Sequence, residues 1–432
     1  MNTQMKIIDS DLSFCCSKRA EFASTIFEKL RFLSLDGPGV SRESYGVGEQ
    51  KAIDFLIQIA KNEGLIVSFD QAANLIIELP ECGEQIPSIF CGSHLDSVPQ
   101  GGNFDGAAGV IAGLISLIRL KRNGIKTKLP IKLIALRGEE SAWFGPCYIG
   151  SNSLFGHLTE DDLNSKHRTT GKSLRNYMAK AGANIEKISK GEKLLKISDV
   201  AGYIELHIEQ GPVMVARNVP VGIVTGLRGN IRYKKIRCLG EAGHSGAVPR
   251  WLRHDPVLAT SELLHRVDEH WRVLLERGLD LVLTAGIFTT NPVEHAMSRI
   301  PGECEFSLEM RSQSIETLEA FDEFLKAEMR SIEREKGVCF NLSPKGLIKP
   351  AIMNQNWIEH LSSCCDTLDI EHERLPSGAG HDAAVFANNG IPSAMIFVRN
   401  QNGSHNPNEA MEISDFMQGA ELLYESLLEP PF

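Results

Sequence analysis

Short apolar runs alternate with helical patterns along the first part of the chain, and polar loops separate them. The run 89–91 is followed by a glycine turn, a helical segment at 106–120 and a second apolar run at 130–136. A third run, 202–208, and a fourth, 393–398, come further along. Bounded apolar runs of this kind predict buried strands. The order of strand, polar loop, helix and strand is typical of a parallel sheet with crossover helices, so the pattern predicts an α/β fold.

The pattern changes near residue 217, where a second set of elements begins. Their predicted order is a strand at 229–241, a helix at 254–276, strands at 281–289 and 303–310, a helix at 315–336 and a strand at 338–342. This β-α-β-β-α-β order is that of a ferredoxin-like unit, and it predicts a compact domain inserted into the first one. The predicted division is therefore a first domain in two parts, 1–216 and 346–432, and an inserted domain, 217–345. Residues 151–200 give little signal beyond helix and loop.

Potential metal ligands follow each of the predicted strands of the first domain. They are His94 with Asp105, the pair Glu139 and Glu140, His207, and His405. Strands of an open α/β sheet place the loops at their carboxyl ends along one edge, so these groups are expected to converge. Imidazole and carboxylate are ligands for zinc, manganese or cobalt. Two divalent metals that share one carboxylate need about five or six such groups, which is the number present.

The adjacent pair Glu139 and Glu140 directly follows an apolar run. Like charges side by side are costly unless a cation offsets them. One glutamate can bind metal while its neighbour stays free as a base that activates water. Asp96, two residues beyond His94, could accept the second N–H of that imidazole and fix its tautomer. Each of these residues alone is more often a solvated surface group, and the joint placement is what favours a site.

Composition narrows the class of protein. The chain has 432 residues, is 42% hydrophobic and carries a formal net charge of −10, which fits a globular protein and argues against a nucleic-acid binder. Ten cysteines occur without CxxC spacing, so no zinc ribbon or redox motif is expected. No leader sequence and no membrane-length apolar run are visible. The expectation is a reduced cytoplasmic protein with free thiols that interacts with neither membranes nor nucleic acids.

Seven stretches of the chain resemble the M20 family of co-catalytic metallohydrolases, and together they cover nearly its whole length. They are GSHLDSVPQGGNFDGAAGV, RGEESAWFGPCYIGS, LHIEQGP, GEAGHSGAVP, IPGECEFSLEMRS, SGAGHDA and NGSHNPNE. The chain is most similar to the branch that holds N-carbamoyl-L-amino acid hydrolases, metal-type β-ureidopropionases and allantoate amidohydrolases. His207 stands where many M20 peptidases carry an acidic ligand, which points to this branch.

The resemblance implies a mixed-sheet catalytic domain that holds two divalent metal ions per subunit, which could be zinc, manganese, cobalt or nickel. The implied ligands are Asp105 as the bridge, His94 and His207 at one metal, and Glu140 and His405 at the other. Glu139 would be the general base and would later protonate the leaving amine. Asp96 would orient His94.

The resemblance also implies that the inserted ferredoxin-like domain is a lid that dimerises. His244 would reach the partner subunit's active site and stabilise the oxyanion. Arg311 would clamp the substrate carboxylate in a bidentate fork. Gln210, Gly380 and His381 would lie around the substrate amide and carboxylate. The branch usually has asparagine where this chain has Ser298, so substrate identity is the least determined feature.

The expected activity is hydrolysis of N-carbamoyl-L-amino acids to the amino acid, carbon dioxide and ammonia by a homodimer. The nearest alternative is allantoate amidohydrolase, followed by β-ureidopropionase and by an aminoacylase or dipeptidase of the same family. In every case the expected partner is a small carboxylate substrate. An alternative of a different class is a catalytically inactive binding homologue, although all six of the groups for metal binding and proton transfer are present.

Overall fold

The computed structural model describes residues 15–80 and 87–431, which divide into two units. The first unit contains the described residues up to Thr225 together with those from Met353 onward, and the second is Gly226–Ile352. The second unit corresponds to the segment that the sequence analysis treated as an insertion, 217–345. Its roles as a lid and as a dimerisation domain stay predictions.

The described residues form thirteen α-helices. They are α1 Cys16–Ser34, α2 Val47–Asn62, α3 Ala107–Arg122, α4 Ile149–Phe155, α5 Glu160–Asn164, α6 Leu174–Ala181, α7 Ile185–Ser189, α8 Val213–Arg217, α9 Pro256–Glu276, α10 Ile315–Lys336, α11 Gln355–Leu368, α12 Asp382–Asn388 and α13 Ile413–Leu428. Within the described ranges, no helix combines the length and the apolar character that crossing a membrane requires.

The same residues form nineteen strands. They are β1 Leu35–Asp36, β2 Gly39–Val40, β3 Ile66–Phe69, β4 Leu75–Glu78, β5 Ser88–His94, β6 Ile131–Leu136, β7 Val200–Ile208, β8 Val221–Leu227, β9 Gly229–Leu239, β10 Gly243–His244, β11 Val282–Thr284, β12 Phe288–Thr290, β13 Arg299–Ile300, β14 Glu303–Ser312, β15 Cys339–Leu342, β16 Gly346–Ile348, β17 Ala351–Ile352, β18 His372–Ser377 and β19 Ser393–Val398.

The first unit is built on a mixed sheet with the strand order β8-β19-β7-β5-β6-β4-β3. The four strands β19, β7, β5 and β6 are mutually parallel, while β8, β4 and β3 pair antiparallel at the two sides. Every residue of β5 is buried, as expected for a central strand covered on both faces. Helix α3 packs against β5 and β7, and α13 packs on α3. The predicted α/β class with a mixed sheet is confirmed.

The second unit is an antiparallel sheet covered by two helices. Its strand order is β11-β14-β9-β15, and each strand pairs antiparallel with its neighbours. This order is the one expected for a β-α-β-β-α-β unit. In β14 every second residue is buried, and α9 and α10 pack on that apolar face. A hydrophobic core centred on Phe306, Phe321 and Leu325 fills the space between helices and sheet.

Some predicted elements differ in the structure. The single strand expected at 281–289 is two strands, β11 and β12, which pair with different parts of β14. The break arises because the Ile287 N–H donates to the Ser307 hydroxyl at 3.0 Å, beside a register shift in β14. The segment 151–200 contains the short helices α4 to α7. Strands β8 and β18 and helix α12 had not been predicted.

Candidate metal centre

The parallel strands of the first unit bring the predicted ligands to one edge of the sheet. His94 is the last residue of β5, and His207 lies one residue before the end of β7. Glu140 follows β6, and His405 follows β19. Asp105 lies between β5 and α3, where the chain turns back toward the helix. Because β6, β5, β7 and β19 are neighbours in the sheet, residues that are far apart along the chain lie close together at the ends of these strands.

Asp105 joins two groups of ligand atoms. Its Oδ1 lies 3.4 Å from His94 Nε2 and 3.2 Å from His207 Nε2. Its Oδ2 lies 3.5 Å from His405 Nε2, and that nitrogen is 3.2 Å from Glu140 Oε1. In each group of three residues, the ligand atoms all lie within 4.8 Å of one another. The structure thus brings together the five residues predicted as metal ligands.

The hydrogen bonds of the two buried histidines show that this donor set fits a cation. His94 Nδ1 lies 3.1 Å from the carbonyl oxygen of Asp96, and His207 Nδ1 lies 2.9 Å from that of Ile208. With Nδ1 directed at a carbonyl oxygen, each ring turns its Nε2 toward Asp105, where the lone pair of a neutral imidazole can bind either a proton or a metal ion. Those two Nε2 atoms are 3.4 Å apart and face the same Asp105 carboxylate. Three acceptors this close repel one another unless a proton or a metal ion lies between them, so the donor set fits a cation.

The charge balance at this edge of the sheet is unusual. Burial opposes ionisation of Asp105, but hydrogen bonds with His207, His405 and His94 outweigh it and hold the pKa of that carboxyl well below its usual range. Burial raises the pKa of the Glu139 carboxyl well above its usual range, against the pull of His94. One carboxylate is thus held ionised while the other holds a proton readily, which is the division of roles that acid–base chemistry needs.

Asp96 positions the segment that carries the two glutamates. Its Oδ1 and Oδ2 accept the backbone N–H groups of Glu139 and Glu140, each at 3.1 Å. The Ser44 hydroxyl donates to Oδ2 at 2.6 Å, and His94 Nδ1 lies 3.3 Å from Oδ1. Asp96 is fully buried, so these contacts form without competition from solvent. A single carboxylate therefore ties β5 to the segment after β6.

Three further groups hold Asp105, and the residue-by-residue predictions missed two of them. Gln210 Nε2 donates to Asp105 Oδ2 at 2.7 Å, and the Ser404 hydroxyl donates to the same oxygen at 2.5 Å. Glu409 Oε2 lies 2.6 Å from the Ser404 hydroxyl oxygen, and Glu409 Oε1 accepts the Phe104 N–H at 2.8 Å. Ser404 and Glu409 belong to the same short motif as His405, so the signal for them was the motif itself.

The residues predicted around the substrate in this unit lie close to the ligand groups. The His381 ring is fully buried and its centroid is 4.4 Å from that of His207. Its Nε2 lies 3.1 Å from the Ser377 hydroxyl, and burial lowers the pKa of His381 well below its usual range. Gly380, the residue before it, lies against the Tyr148 hydroxyl. Gln210 bonds to Asp105 as described above.

The other predicted substrate contacts belong to the second unit. His244 is exposed on β10, where it pairs with Arg299 of β13. The Ser245 N–H donates to the carbonyl of Ser298 at 2.8 Å, so His244 and Ser298 are close neighbours. Arg311 lies on β14 itself, with its Nε 3.0 Å from Glu309 Oε2. The roles of His244, Ser298 and Arg311 at a substrate stay predictions.

The mixed sheet and the two candidate ligand groups that share a carboxylate fit the class of metal-dependent hydrolases. The sequence profile of Peptidase family M20/M25/M40 matches residues 90–429. The chain belongs to this family. Because the match spans most of the chain, it includes every residue of the two ligand groups.

Known proteins of the family support this assignment. An N-carbamoyl-L-amino acid amidohydrolase of Geobacillus stearothermophilus is 33% identical over 390 residues, which cover 90% of this chain and 93% of the relative. An allantoate amidohydrolase of Escherichia coli is 31% identical over 363 residues, 83% of this chain and 85% of the relative. The structure of an amidase of the hydantoinase/carbamoylase family from Burkholderia multivorans superposes with a TM-score of 0.83 at 26% identity and covers 95% of this chain and 97% of its own. The predicted family and class, a hydrolase of C–N amide bonds, are confirmed.

Proposed function

We propose that this protein hydrolyses the carbamoyl group of N-carbamoyl-L-amino acids with the help of two divalent metal ions. The observation that carries the proposal is the arrangement at Asp105. Its two oxygens face two separate sets of nitrogen and oxygen ligands, and Glu139 directly precedes Glu140, a member of one set. Such a site can polarise the carbonyl oxygen of a carbamoyl group, and the relatives' names support an amide substrate over a phosphate ester.

The residues that would hold the ions are the two groups already described. His94, Asp105 and His207 would bind one, and Asp105, Glu140 and His405 the other. When bound, the pair of ions supplies positive charge that polarises a carbonyl oxygen and makes a water molecule more acidic. Asp96 keeps the imidazole of His94 turned so that Nε2 presents its lone pair.

Glu139 would move the proton. Its backbone is fixed by Asp96, and its carboxyl forms no hydrogen bond or ion pair with any residue in the described ranges. A buried carboxyl whose pKa lies above its usual range accepts a proton from water and releases it to a leaving amine at neutral pH. We therefore assign general-base and general-acid roles to Glu139.

Three residues of the second unit are proposed to contact the substrate. His244 would stabilise the oxyanion in the active site of a partner subunit, and Arg311 would bind the substrate carboxylate. Ser298 would take the place that the branch usually gives to asparagine. This proposal includes a homodimer in which the second unit acts as a lid. It is supported by the exposure of His244 and by the charge and half-exposed position of Arg311.

The relatives leave two substrate classes to separate, since N-carbamoyl amino acids and allantoate are both named among them. The test is ammonia release by purified, manganese-loaded protein from N-carbamoyl-L-methionine, N-carbamoyl-β-alanine, allantoate and an N-acetyl amino acid. We expect release from the first, and we expect a chelator to abolish it. Release from allantoate alone would keep the reaction class and change the substrate. If the metal-loaded protein released no ammonia from any of the four substrates, the proposal would be contradicted.

A variant of the base separates metal binding from turnover. Glu139→Gln should keep the metal content of the wild type, because Glu139 is in neither ligand group. Its turnover should fall by about 100-fold or more, the usual contribution of a general base. Metal content is measured on the dialysed protein and turnover by ammonia release. Full activity in the variant would remove Glu139 from the mechanism.

A further inference from the structure

Tyr148 has a backbone conformation that aromatic residues rarely adopt. Its φ is 55° and its ψ is 38°, in the left-handed region. Side chains branched or bulky near the backbone are strained there, and glycine or asparagine is the usual occupant. Strain of this kind persists only where the surrounding structure holds it, and it is found disproportionately at functional sites.

Backbone hydrogen bonds hold Tyr148 directly opposite the proposed base. The Tyr148 N–H donates to the carbonyl of Glu139 at 2.9 Å, and the next N–H, from Ile149, donates to that of Gly138 at 2.8 Å. The Gly150 N–H continues the series to Arg137, also at 2.8 Å. These bonds hold the backbone of the segment that carries Tyr148 against the backbone of the segment that carries Glu139.

The phenol of Tyr148 extends to Gly380, which the sequence analysis placed around the substrate. A Cβ atom added to Gly380 would lie 1.8 Å from the Tyr148 Oη and 3.0 Å from its Cζ. Any side chain at position 380 would therefore collide with the hydroxyl. The absence of a side chain at Gly380 and the strained backbone of Tyr148 together place one hydroxyl at this position.

That hydroxyl has no hydrogen-bond partner among residues 15–80 and 87–431. Tyr148 is half-buried, so its hydroxyl is available to a bound ligand. Burial raises the pKa of the Tyr148 phenol well above its usual range, and the Glu139 charge adds to the effect, so the hydroxyl stays neutral. It is a neutral donor close enough to Glu139 and Asp382 to feel the charges of their carboxyls, so it can offer a hydrogen to an incoming oxygen atom beside two acidic side chains.

We propose that Tyr148 is a substrate-contacting residue whose hydroxyl donates a hydrogen bond to an acceptor oxygen of the bound substrate beside Gly380. This inference rests on the proposed function, because that function supplies a substrate with carboxylate and carbonyl oxygens. It adds a contact to the first unit itself. A site that matches a donor to a substrate oxygen discriminates against analogues that lack the oxygen.

The first test is Tyr148→Phe, which keeps the ring and removes only the hydroxyl. We expect kcat/KM to fall by about tenfold or more, as for a lost hydrogen bond to a charged or carbonyl oxygen. The metal content and the urea midpoint of unfolding should match the wild type. The matched control is Tyr177→Phe, since Tyr177 lies in the same unit and its hydroxyl already has a partner in Thr170 at 3.1 Å. That control should keep wild-type activity.

A binding measurement separates this inference from the proposed function. In the Glu139→Gln background, calorimetry gives the Kd of the substrate that the wild type turns over, with and without Tyr148→Phe. We expect the Kd to rise by about tenfold. The same comparison is made with a substrate whose carboxylate is replaced by a carboxamide. If Tyr148→Phe weakens binding of this substrate equally, the hydroxyl contacts the carbonyl oxygen. If it weakens binding less, the hydroxyl contacts the carboxylate.

A double-mutant cycle tests the contact with Gly380. Gly380→Ala should lower kcat/KM strongly, because the new methyl group collides with the hydroxyl. In the Tyr148→Phe background, Gly380→Ala should lower kcat/KM by a smaller factor, since the hydroxyl oxygen that lies 1.8 Å from the added Cβ is absent. Equal turnover and equal Kd for Tyr148→Phe and the wild type would overturn the inference while leaving the proposed function intact. A wild type that is silent on every substrate would contradict the proposed function, and the inference would fall with it.

Discussion

Asp96→Asn is a nearly isosteric change that should weaken metal binding although Asp96 is not itself a predicted metal ligand. The carboxylate of Asp96 accepts from three donors, two backbone N–H groups at 3.1 Å and the Ser44 hydroxyl at 2.6 Å, and it lies 3.3 Å from His94 Nδ1. These donors are divided between its two oxygens. An amide has one oxygen and one NH₂ group, so whichever way it turns, its NH₂ faces donors.

The magnitude follows from that count. At least one charge-assisted hydrogen bond is lost, which costs about 1.5–3 kcal/mol. Part of the loss falls on the backbone of Glu140 and on the orientation of His94, both of which are predicted ligands. Removing such a supporting partner typically lowers metal affinity by about 10–100-fold. We therefore expect weaker metal binding together with a lower urea midpoint.

The assay is competition for metal against a chelator of known affinity, followed by metal analysis of the protein. The control is Asp322→Asn in the second unit. Asp322 is also a buried carboxylate, and it accepts the Tyr233 hydroxyl at 2.6 Å and the Lys326 ammonium at 2.9 Å. That variant should lose stability and keep the metal affinity of the wild type. Unchanged metal affinity in Asp96→Asn would refute the reasoning, as would an equal loss in the control.

Three further predictions concern the first unit. Gly106→Ala should lower metal affinity by about tenfold or more, because a Cβ there would lie 2.5 Å from the His94 ring atoms; equilibrium dialysis measures this. Glu49→Gln should lower the free energy of unfolding by about 3–5 kcal/mol in urea titrations, because the buried Arg137 guanidinium, 2.6 Å from Glu49, loses its counter-charge. Burial raises the pKa of the Cys91 thiol to about 12, so Cys91 should resist alkylation at pH 8 until the protein unfolds, as peptide mass analysis would show.

Each of these predictions has a matched control in the chain. Gly124 has a similar positive φ of 62° but no atom within 4 Å of an added Cβ, so Gly124→Ala should leave metal affinity unchanged. Glu186 forms an exposed pair with Lys190, and Glu186→Gln should change stability by no more than about 0.5 kcal/mol. Cys339 is exposed and should be alkylated in the folded protein. A variant that behaves like its control would contradict the corresponding argument.

The sequence predicted the metal centre more fully than it predicted the contacts that support it. His94, Glu140, His207 and His405 could be found because each follows a predicted strand, and parallel strands end at one edge of a sheet. The Ser404 hydroxyl on Asp105 and the Ser44 hydroxyl on Asp96 depend on loop conformations that no periodicity encodes. Hydroxyl contacts of this kind depend on tertiary geometry, which a single sequence specifies only through the complete fold.

The fold shows the same division. Long periodic segments such as 315–336 were predicted with the bounds that helix α10 has. The helices between 151 and 200 are short, and two of them depend on side-chain caps at Thr159 and Asn184 rather than on an extended apolar stripe. The break in the strand at 281–289 depends on the Ser307 hydroxyl across the sheet. Local patterns predict elements well only where the elements themselves are long.

The order of the segments along the chain has a consequence for biosynthesis. The second unit, Gly226–Ile352, is encoded between His207 and His405 and has a hydrophobic core of its own. It can therefore fold on the ribosome while the first unit still lacks β19, the strand that precedes His405. Until β19 joins β7, Glu140 has no histidine partner. The group of His94, Asp105 and His207 is therefore synthesised before the inserted unit, whereas the group of Asp105, Glu140 and His405 is complete only after that unit has been made.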